Sequence, residues 1–278
     1  VLFRSELLIE SEHHIREFRH MTESIHPAAQ TGFASSAELY QQVRPSYPKA
    51  ITTWLTEHLH LKADDYVLDL GAGTGKFLAN LTQVSKHVYA AEPIKEMLQQ
   101  LCLQYPQVHS VQASSQALPF AEQYFDAVLC AQSFHWFANS ESLKEIHRVL
   151  KPKAALGLIW NQRDTTVPWV KAIADILLPL EADTPRYHSG EWKKVFKNQT
   201  WFKLGSEQHF IHQHHGTVEQ VVSKRLLSTS FIAMMPAEKQ QQLKQQFEQV
   251  VFEHLGKRPN DEIDFPYITY AYDFIKTQ

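Results

Sequence analysis

Only two cysteines occur in 278 residues, too few for a disulfide framework, and Cys102 and Cys130 each sit in an apolar stretch where a free thiol acts as a small hydrophobe. A reducing, cytoplasmic setting is expected. No apolar run approaches the roughly 18 residues that a membrane-spanning helix needs; the longest lies around Ala154 to Trp160. Positive charge is not in excess either. The 27 Lys and Arg are outnumbered by 30 Asp and Glu, so no global field gathers polyanions, and neither nucleic acid nor membrane is expected as a partner. With 44% hydrophobic and 21% charged residues the chain is globular rather than disordered. Its length suits one large domain or two small ones, at about 150 residues each.

The opening stretch lacks an apolar signal core and mixes Glu, His and Arg, so residues 1–20 read as an extension or cloning remnant. The remainder, 21–278, reads as a single domain. From residue 66 short β-branched runs alternate with segments of helical period, which implies βα units and a parallel sheet. The strands expected are Tyr66 to Leu70, His87 to Ala91, Val108 to Ala113, Phe125 to Ala131 and Ala155 to Trp160. Helices are expected at Lys49 to His60, Lys76 to Gln83, Ile94 to Gln104 and Ser142 to Leu150, the last stopped by Lys151-Pro152. A Pro-punctuated, Trp-rich insertion follows. Then come a polar strand at Glu207 to His214, helices at Val218 to Leu227 and Ala237 to Leu255, and an aromatic strand at Tyr267 to Phe274. The two late strands would add an antiparallel edge to a mostly parallel sheet.

Glycine is scarce at nine residues, yet Gly71, Gly73 and Gly75 fall together directly after the first strand. A strand-to-helix turn without side chains lets a ligand approach the backbone at the carboxyl end of a central strand. The spacing departs from the G-x-G-x-x-G dinucleotide fingerprint, and Lys76 is not followed by a full P-loop pattern, so phosphate cradling is the weaker reading. Glu92 ends the second strand, 23 residues beyond Asp69, where a carboxylate can accept hydrogen bonds from ribose hydroxyls. The alternative is that it starts the helix after Pro93, where negative charge suits the helix dipole, and both roles can hold.

Together, Val67-Leu68-Asp69-Leu70-Gly71-Ala72-Gly73-Thr74-Gly75, Ala91-Glu92-Pro93, Met97-Leu98, Ala117-Leu118-Pro119-Phe120 and Phe125-Asp126-Ala127-Val128 resemble class I S-adenosylmethionine-dependent methyltransferases. The similarity is to the methyltransferase type 11 branch that includes ubiquinone/menaquinone-biosynthesis-like and trans-aconitate-methyltransferase-like proteins. It covers roughly residues 33–163.

The resemblance implies a Rossmann-like, doubly wound seven-stranded sheet with a helical cap formed by about 33–48 and 161–230. It implies S-adenosyl-L-methionine as cofactor, S-adenosyl-L-homocysteine as product and a small-molecule acceptor, with O-, C- or carboxyl methylation open. Asp69 and the turn Gly71, Ala72, Gly73, Thr74 and Gly75 would hold the methionine end, and Glu92 the ribose. Pro93 and Ile94 would lie against adenine. Ser114 stands where many relatives place an Asp that meets the adenine amine, and Ser115 beside it and Gln132 would complete the cofactor site. Tyr40 and Arg44, in a Y-x-x-x-R-P-x-Y-P segment, would close over the methionine carboxylate, although Arg44 could be an ordinary surface residue.

In Ala131-Gln132-Ser133-Phe134-His135-Trp136-Phe137, His135 is the candidate base, since a neutral imidazole can take a proton from a hydroxyl or enol. A structural histidine is the alternative. Phe134, Trp136, Trp160 and Trp169 would line a pocket for a flat or apolar acceptor, or else pack in the core. Arg163 could hold an acidic acceptor or pair with Asp164. His212 and His214 share a strand face without a clear third ligand, so a solvated strand and no metal site are expected. A nucleoside-binding sensor or assembly factor, and less readily a nicotinamide oxidoreductase, are the rival functions. A monomer or a homodimer would serve.

Overall fold

A computed structural model describes residues 41–277. Residues 1–20, the first part of the expected cap segment 33–48, and Tyr40 lie outside the described residues.

The strands are β1 Tyr66–Leu70, β2 His87–Ala91, β3 His109–Val111, β4 Phe125–Ala131, β5 Leu150–Arg163, β6 Phe202–Thr217 and β7 Glu262–Lys276. They form one sheet in the order β3-β2-β1-β4-β5-β7-β6. β1 to β5 run parallel, and β7 lies antiparallel between β5 and β6. The reversed strand is thus one in from the edge, and β6 is the edge.

Side-chain alternation sends each central strand into two cores. On one face Leu68, Val128, Leu156 and Trp160 pack with Leu143 and Ile146 of the helix Ser140–Val149. On the other, Val67, Ala127, Leu129 and Ile159 meet Trp54 and Leu55, together with Phe77 and Leu78. Asn139 caps the helix Ser140–Val149 by accepting the Ser142 amide at 2.9 Å, as a residue just before a helix should. Gly157 on β5 is required by close approach, because a Cβ there would stand 2.5 Å from Leu129 Cδ1 and 3.2 Å from Trp54.

A third core belongs to the cap. Trp169, Val170 and Ile173 of the helix Pro168–Leu177 pack with Val221, Val222 and Leu226, with Leu243, Phe247 and Val251 of the helix Ala237–Leu255, and with Phe265 and Tyr267 of β7.

β1, β2 and β4 have the bounds read from sequence. β5 begins earlier, at Leu150, through an irregular stretch after which Ala127 pairs with Ala155. β6 and β7 are longer than expected because they pair continuously from Phe202–Lys276 to Thr217–Glu262 apart from one bulge. Phe202–Thr217, inside the segment expected to be cap, is therefore sheet. The expected helix Lys76 to Gln83 shrinks to Leu78–Leu81, since Gly75 still belongs to the turn. His212 and His214 are half-buried on one face of β6 near the Tyr267 ring, so that face is not solvated as expected. Cys130 is buried as expected, but Cys102 is exposed.

Trp169 is only 5% exposed and stands edge-on to Phe265 at 4.9 Å, which makes it a core residue of the cap. Trp169→Ala is expected to lower unfolding free energy by about 3–5 kcal/mol in urea titrations. A loss below about 1 kcal/mol would return Trp169 to the pocket lining.

Candidate functional site

After β1 the chain turns through Gly71, Gly73 and Gly75 with φ of +69°, +59° and +86°, a region that costs an L residue about 1–2 kcal/mol. A Cβ on Gly71 would also collide with Ser133 Cβ at 2.6 Å, whereas one on Gly73 would meet only Met97 at 3.9 Å. Gly73 thus faces open space.

The turn's amides are already engaged. Gly71 and Ala72 donate to the Ala91 carbonyl at 2.8 and 3.2 Å, and Gly75 donates to Ala72 at 3.0 Å. Gly73 donates to Glu92 Oε2 at 2.7 Å, while Glu92 Oε1 accepts the Ile94 amide at 2.9 Å. Glu92 thereby joins the turn after β1 to the loop after β2. Burial pushes its pKa up to about 7 against the pull of the Ile94 and Gly73 amides. Asp69 is fully buried beneath the turn, and neither of its oxygens has a hydrogen-bond partner among the described residues. Burial first, and then the Glu92 charge, push its pKa well up.

Above the turn lies a cleft of about 930 Å³, counting its open mouth. It brings together Gly71, Ala72, Gly73, Thr74, Glu92, Pro93, Ile94, Ser114, Ser115, Gln132 and Trp136. Three expected members stand elsewhere. Asp69 is beneath the floor, Gly75 is wedged against Leu78, Leu101 and Tyr105, and Arg44 lines a different cavity. The sequence reading missed Lys76 and Met97 in the lining, which Phe137 joins. Lys76 was legible as the cation directly after Gly75. Burial, then Arg44 and Arg225, bring its pKa down to about 8, so it is mainly charged at neutral pH.

The residues fit S-adenosylmethionine. Glu92 keeps lone pairs for ribose hydroxyls, Ile94, Met97 and Phe137 offer apolar surface to a purine, and Lys76 supplies a cation for a carboxylate. The unpartnered Asp69 carboxyl adds an orphaned buried acceptor beneath the turn.

The second cavity, about 540 Å³ counting its open mouth, meets the cleft at Gln132 and is lined by Arg44, His135, Trp160 and Arg163 with Glu181, Arg186 and Arg225. Arg44 Nη2 donates to the Ser228 carbonyl at 2.9 Å, which draws it to this side. Phe134 is fully buried in the main core and Trp169 in the cap core, so neither lines either cavity.

For His135 the geometry favours the non-catalytic alternative. Its Nδ1 accepts the Trp160 indole N–H at 3.0 Å, so the neutral ring carries its proton on Nε2 and presents a donor. Burial, followed by Arg186, Arg44 and His188, lowers its pKa to about 3. A ring so weakly basic and with its acceptor nitrogen occupied is a poor proton acceptor.

A methyltransferase-domain family model matches residues 68–158. Over 241 residues the chain is 36% identical to an uncharacterized methyltransferase-like protein of Schizosaccharomyces pombe, an alignment that spans 86% of this chain and 93% of that one. It is 35% identical over 184 residues to an uncharacterized methyltransferase of Mycobacterium tuberculosis, spanning 62% of this chain and 74% of that one. Among solved structures, a candidate type II methyltransferase from Anaeromyxobacter dehalogenans superimposes with a TM-score of 0.62 at 20% identity, covering 84% of this chain and 97% of that one. The YcgJ protein of Bacillus subtilis gives 0.54 at 18%, covering 83% and 100%. At those identities the structural likeness speaks for the fold.

A ribose seated in the cleft would donate its hydroxyls to an ionised Glu92, whose pKa burial pushes up to about 7. Affinity for S-adenosylhomocysteine is therefore expected to fall as pH drops from 8 to 6, by up to about tenfold per unit below the pKa. Calorimetric titrations of wild type and Glu92→Gln check this. The variant should bind at least about tenfold more weakly at pH 8 and no longer lose affinity toward pH 6; an affinity that still falls toward pH 6 in the variant would assign the dependence to another group.

Proposed function

The chain belongs to the class I S-adenosylmethionine-dependent methyltransferase family, and from that membership we propose that it uses S-adenosylmethionine to methylate a small-molecule acceptor. The observation that carries the reading is Glu92, a buried carboxylate at the end of β2 facing a cleft floored by the glycine turn.

When bound, S-adenosylmethionine supplies an electrophilic methyl on a sulfonium, and an acceptor lone pair that forms the new bond as the C–S bond breaks leaves S-adenosylhomocysteine. The protein's share is positioning and exclusion of water. Glu92 orients the ribose, and the Gly73 surface admits the ligand against the backbone. Lys76 balances the methionine carboxylate. Gln132, at the junction of the two cavities, stands between cofactor and acceptor; its Nε2 donates to the Asn161 carbonyl at 2.9 Å, which fixes its orientation. His135 acts as a hydrogen-bond donor in the acceptor cavity.

The engaged amides of Gly71, Ala72, Gly73 and Gly75 leave no donors at those positions for a pyrophosphate, which supports this reading over a nicotinamide oxidoreductase. Among the described residues no helix is long and apolar enough to cross a membrane.

S-adenosylhomocysteine is expected to raise the thermal midpoint by mass action, about 2.7 kcal/mol of stabilisation at a hundredfold excess over Kd, while NAD leaves it unchanged. Stabilisation by NAD instead would overturn the cofactor. Formation of S-adenosylhomocysteine from S-adenosylmethionine on addition of an acceptor separates an enzyme from a sensor. His135→Asn should leave the pH dependence of kcat unchanged, and loss of an acidic limb from that profile would restore the base role.

A further inference from the structure

Beside Arg44, the second cavity holds Arg163, Arg186 and Arg225 against one carboxylate, Glu181, among its described lining residues, an excess of two positive charges from these three with the histidines set aside. These arginines come from unconnected parts of the chain. Arg44 precedes the sheet, Arg163 ends β5, Arg186 follows the helix Pro168–Leu177, and Arg225 begins a short helix in the cap.

Arg186 and Arg225 have few partners among the described residues. Arg225 is 5% exposed, and its Nε and Nη1 are buried without a hydrogen-bond partner. Arg186 has Nε and Nη2 in the same condition; its nearest carboxylate oxygen, Glu181 Oε1, is 4.0 Å from Nε, and Glu181 Oε2 is already occupied by His188 at 2.8 Å. The Arg186 guanidinium also lies 4.6 Å over the Phe231 ring, which fixes its plane. Thr229 Oγ1 and Tyr267 OH are further buried polar atoms without partners on the same walls. Burial and the neighbouring Arg225 lower the pKa of Arg163, as expected where like charges share a dry space.

Buried guanidiniums left unpaired are costly, and planar forks aimed into one space match carboxylate or phosphate in bidentate fashion. Among the described lining residues one carboxylate, Glu181, stands against Arg163, Arg186 and Arg225, two charges short of balance. The cavity is too polar for the flat, apolar acceptor suggested by the tryptophans in the sequence. It adjoins the cofactor cleft at Gln132, and that cleft has its own cation in Lys76.

We propose that the methyl acceptor is a small organic molecule bearing at least two oxyanionic groups, carboxylate or phosphate, held between Arg163, Arg186 and Arg225. The proposal rests on the methyltransferase reading for the position of the acceptor beside the cofactor. The arginines act as specificity determinants. They fix which molecule enters and how it lies, and they draw anions in from solution.

The test is calorimetric titration of the full chain saturated with S-adenosylhomocysteine. The probes are glutarate and tricarballylate as polycarboxylates, 2-phosphoglycerate as the phosphate-bearing arm, butyrate as a monoanion and glycerol as a neutral control. At least one multiply charged probe is expected to bind ten times or more tightly than butyrate, with no binding of glycerol. Tighter binding of 2-phosphoglycerate than of either polycarboxylate assigns phosphate, and the reverse assigns carboxylates.

Arg163→Gln and Arg225→Gln should each weaken the preferred probe tenfold or more and leave S-adenosylhomocysteine affinity within twofold, which also shows that the variants fold. Arg163→Lys, which keeps charge but loses the fork, should fall between wild type and Arg163→Gln. If S-adenosylhomocysteine binds and no anion does, the inference is overturned and the methyltransferase reading stands. If the arginine variants weaken S-adenosylhomocysteine as much as the anion, the arginines serve the cofactor and the inference is overturned. If S-adenosylhomocysteine itself fails to bind, both fall.

Discussion

The Glu92 carboxylate accepts amides from two loops at once, Gly73 in the turn after β1 and Ile94 beyond the end of β2. Without it the buried Ile94 amide would lose its partner, at a cost of about 1–3 kcal/mol, and the half-buried Gly73 amide would lose its own. With it the glycine turn and the apolar wall that starts at Ile94 are fixed at one separation. The interaction leaves a carboxyl that burial holds near its titration point, and a floor whose amides are engaged while its surface stays open. The shape of the cleft and its charge state both follow from this arrangement.

The two cavities divide along chemical lines. The cleft pairs apolar side chains with a few polar groups, suited to a purine and a sugar, whereas the adjoining space is crowded with guanidiniums. Gln132 lies on the boundary with φ of +60°, a backbone state that a non-glycine residue adopts only where its surroundings impose it. Its amide donates to the Ile159 carbonyl at 2.8 Å and its side chain to Asn161, so β5 holds both ends of this residue. A strained residue pinned at the junction is a rigid partition.

What the sequence revealed was local. β1, β2 and β4 were legible because strands covered on both faces read as continuous apolar runs bounded by turn residues. The cleft was legible because its parts follow one another along the chain: glycine turn, Glu92, then Ser114 and Ser115. The second cavity was not, since Arg186 and Arg225 lie in cap segments without a motif and read like any surface arginine. Phe134 and Trp169 were misplaced because an aromatic side chain gives the same signal in a core as in a pocket. The role of His135 turned on a proton position set by Trp160, 25 residues away in sequence and adjacent only once β4 and β5 are paired. β5 to β7 were read too short for a similar reason, as their length comes from mutual pairing rather than from local pattern.

The place of β7 in the sheet also governs how the molecule can be made. β6 touches the rest of the sheet only through β7, which is more than 40 residues downstream of it in the chain. During synthesis β6 therefore emerges with nothing to pair against, a 16-residue ribbon with unmet backbone groups on both sides. The five parallel strands can assemble first as the chain leaves the ribosome, but β6 and the cap core wait for β7 to insert between β5 and β6. Quality control of this protein is thus concentrated at its final step: any product that stops short of β7 exposes the flank of β5 and leaves β6 as an orphan strand, making incomplete chains targets for proteolysis or aggregation.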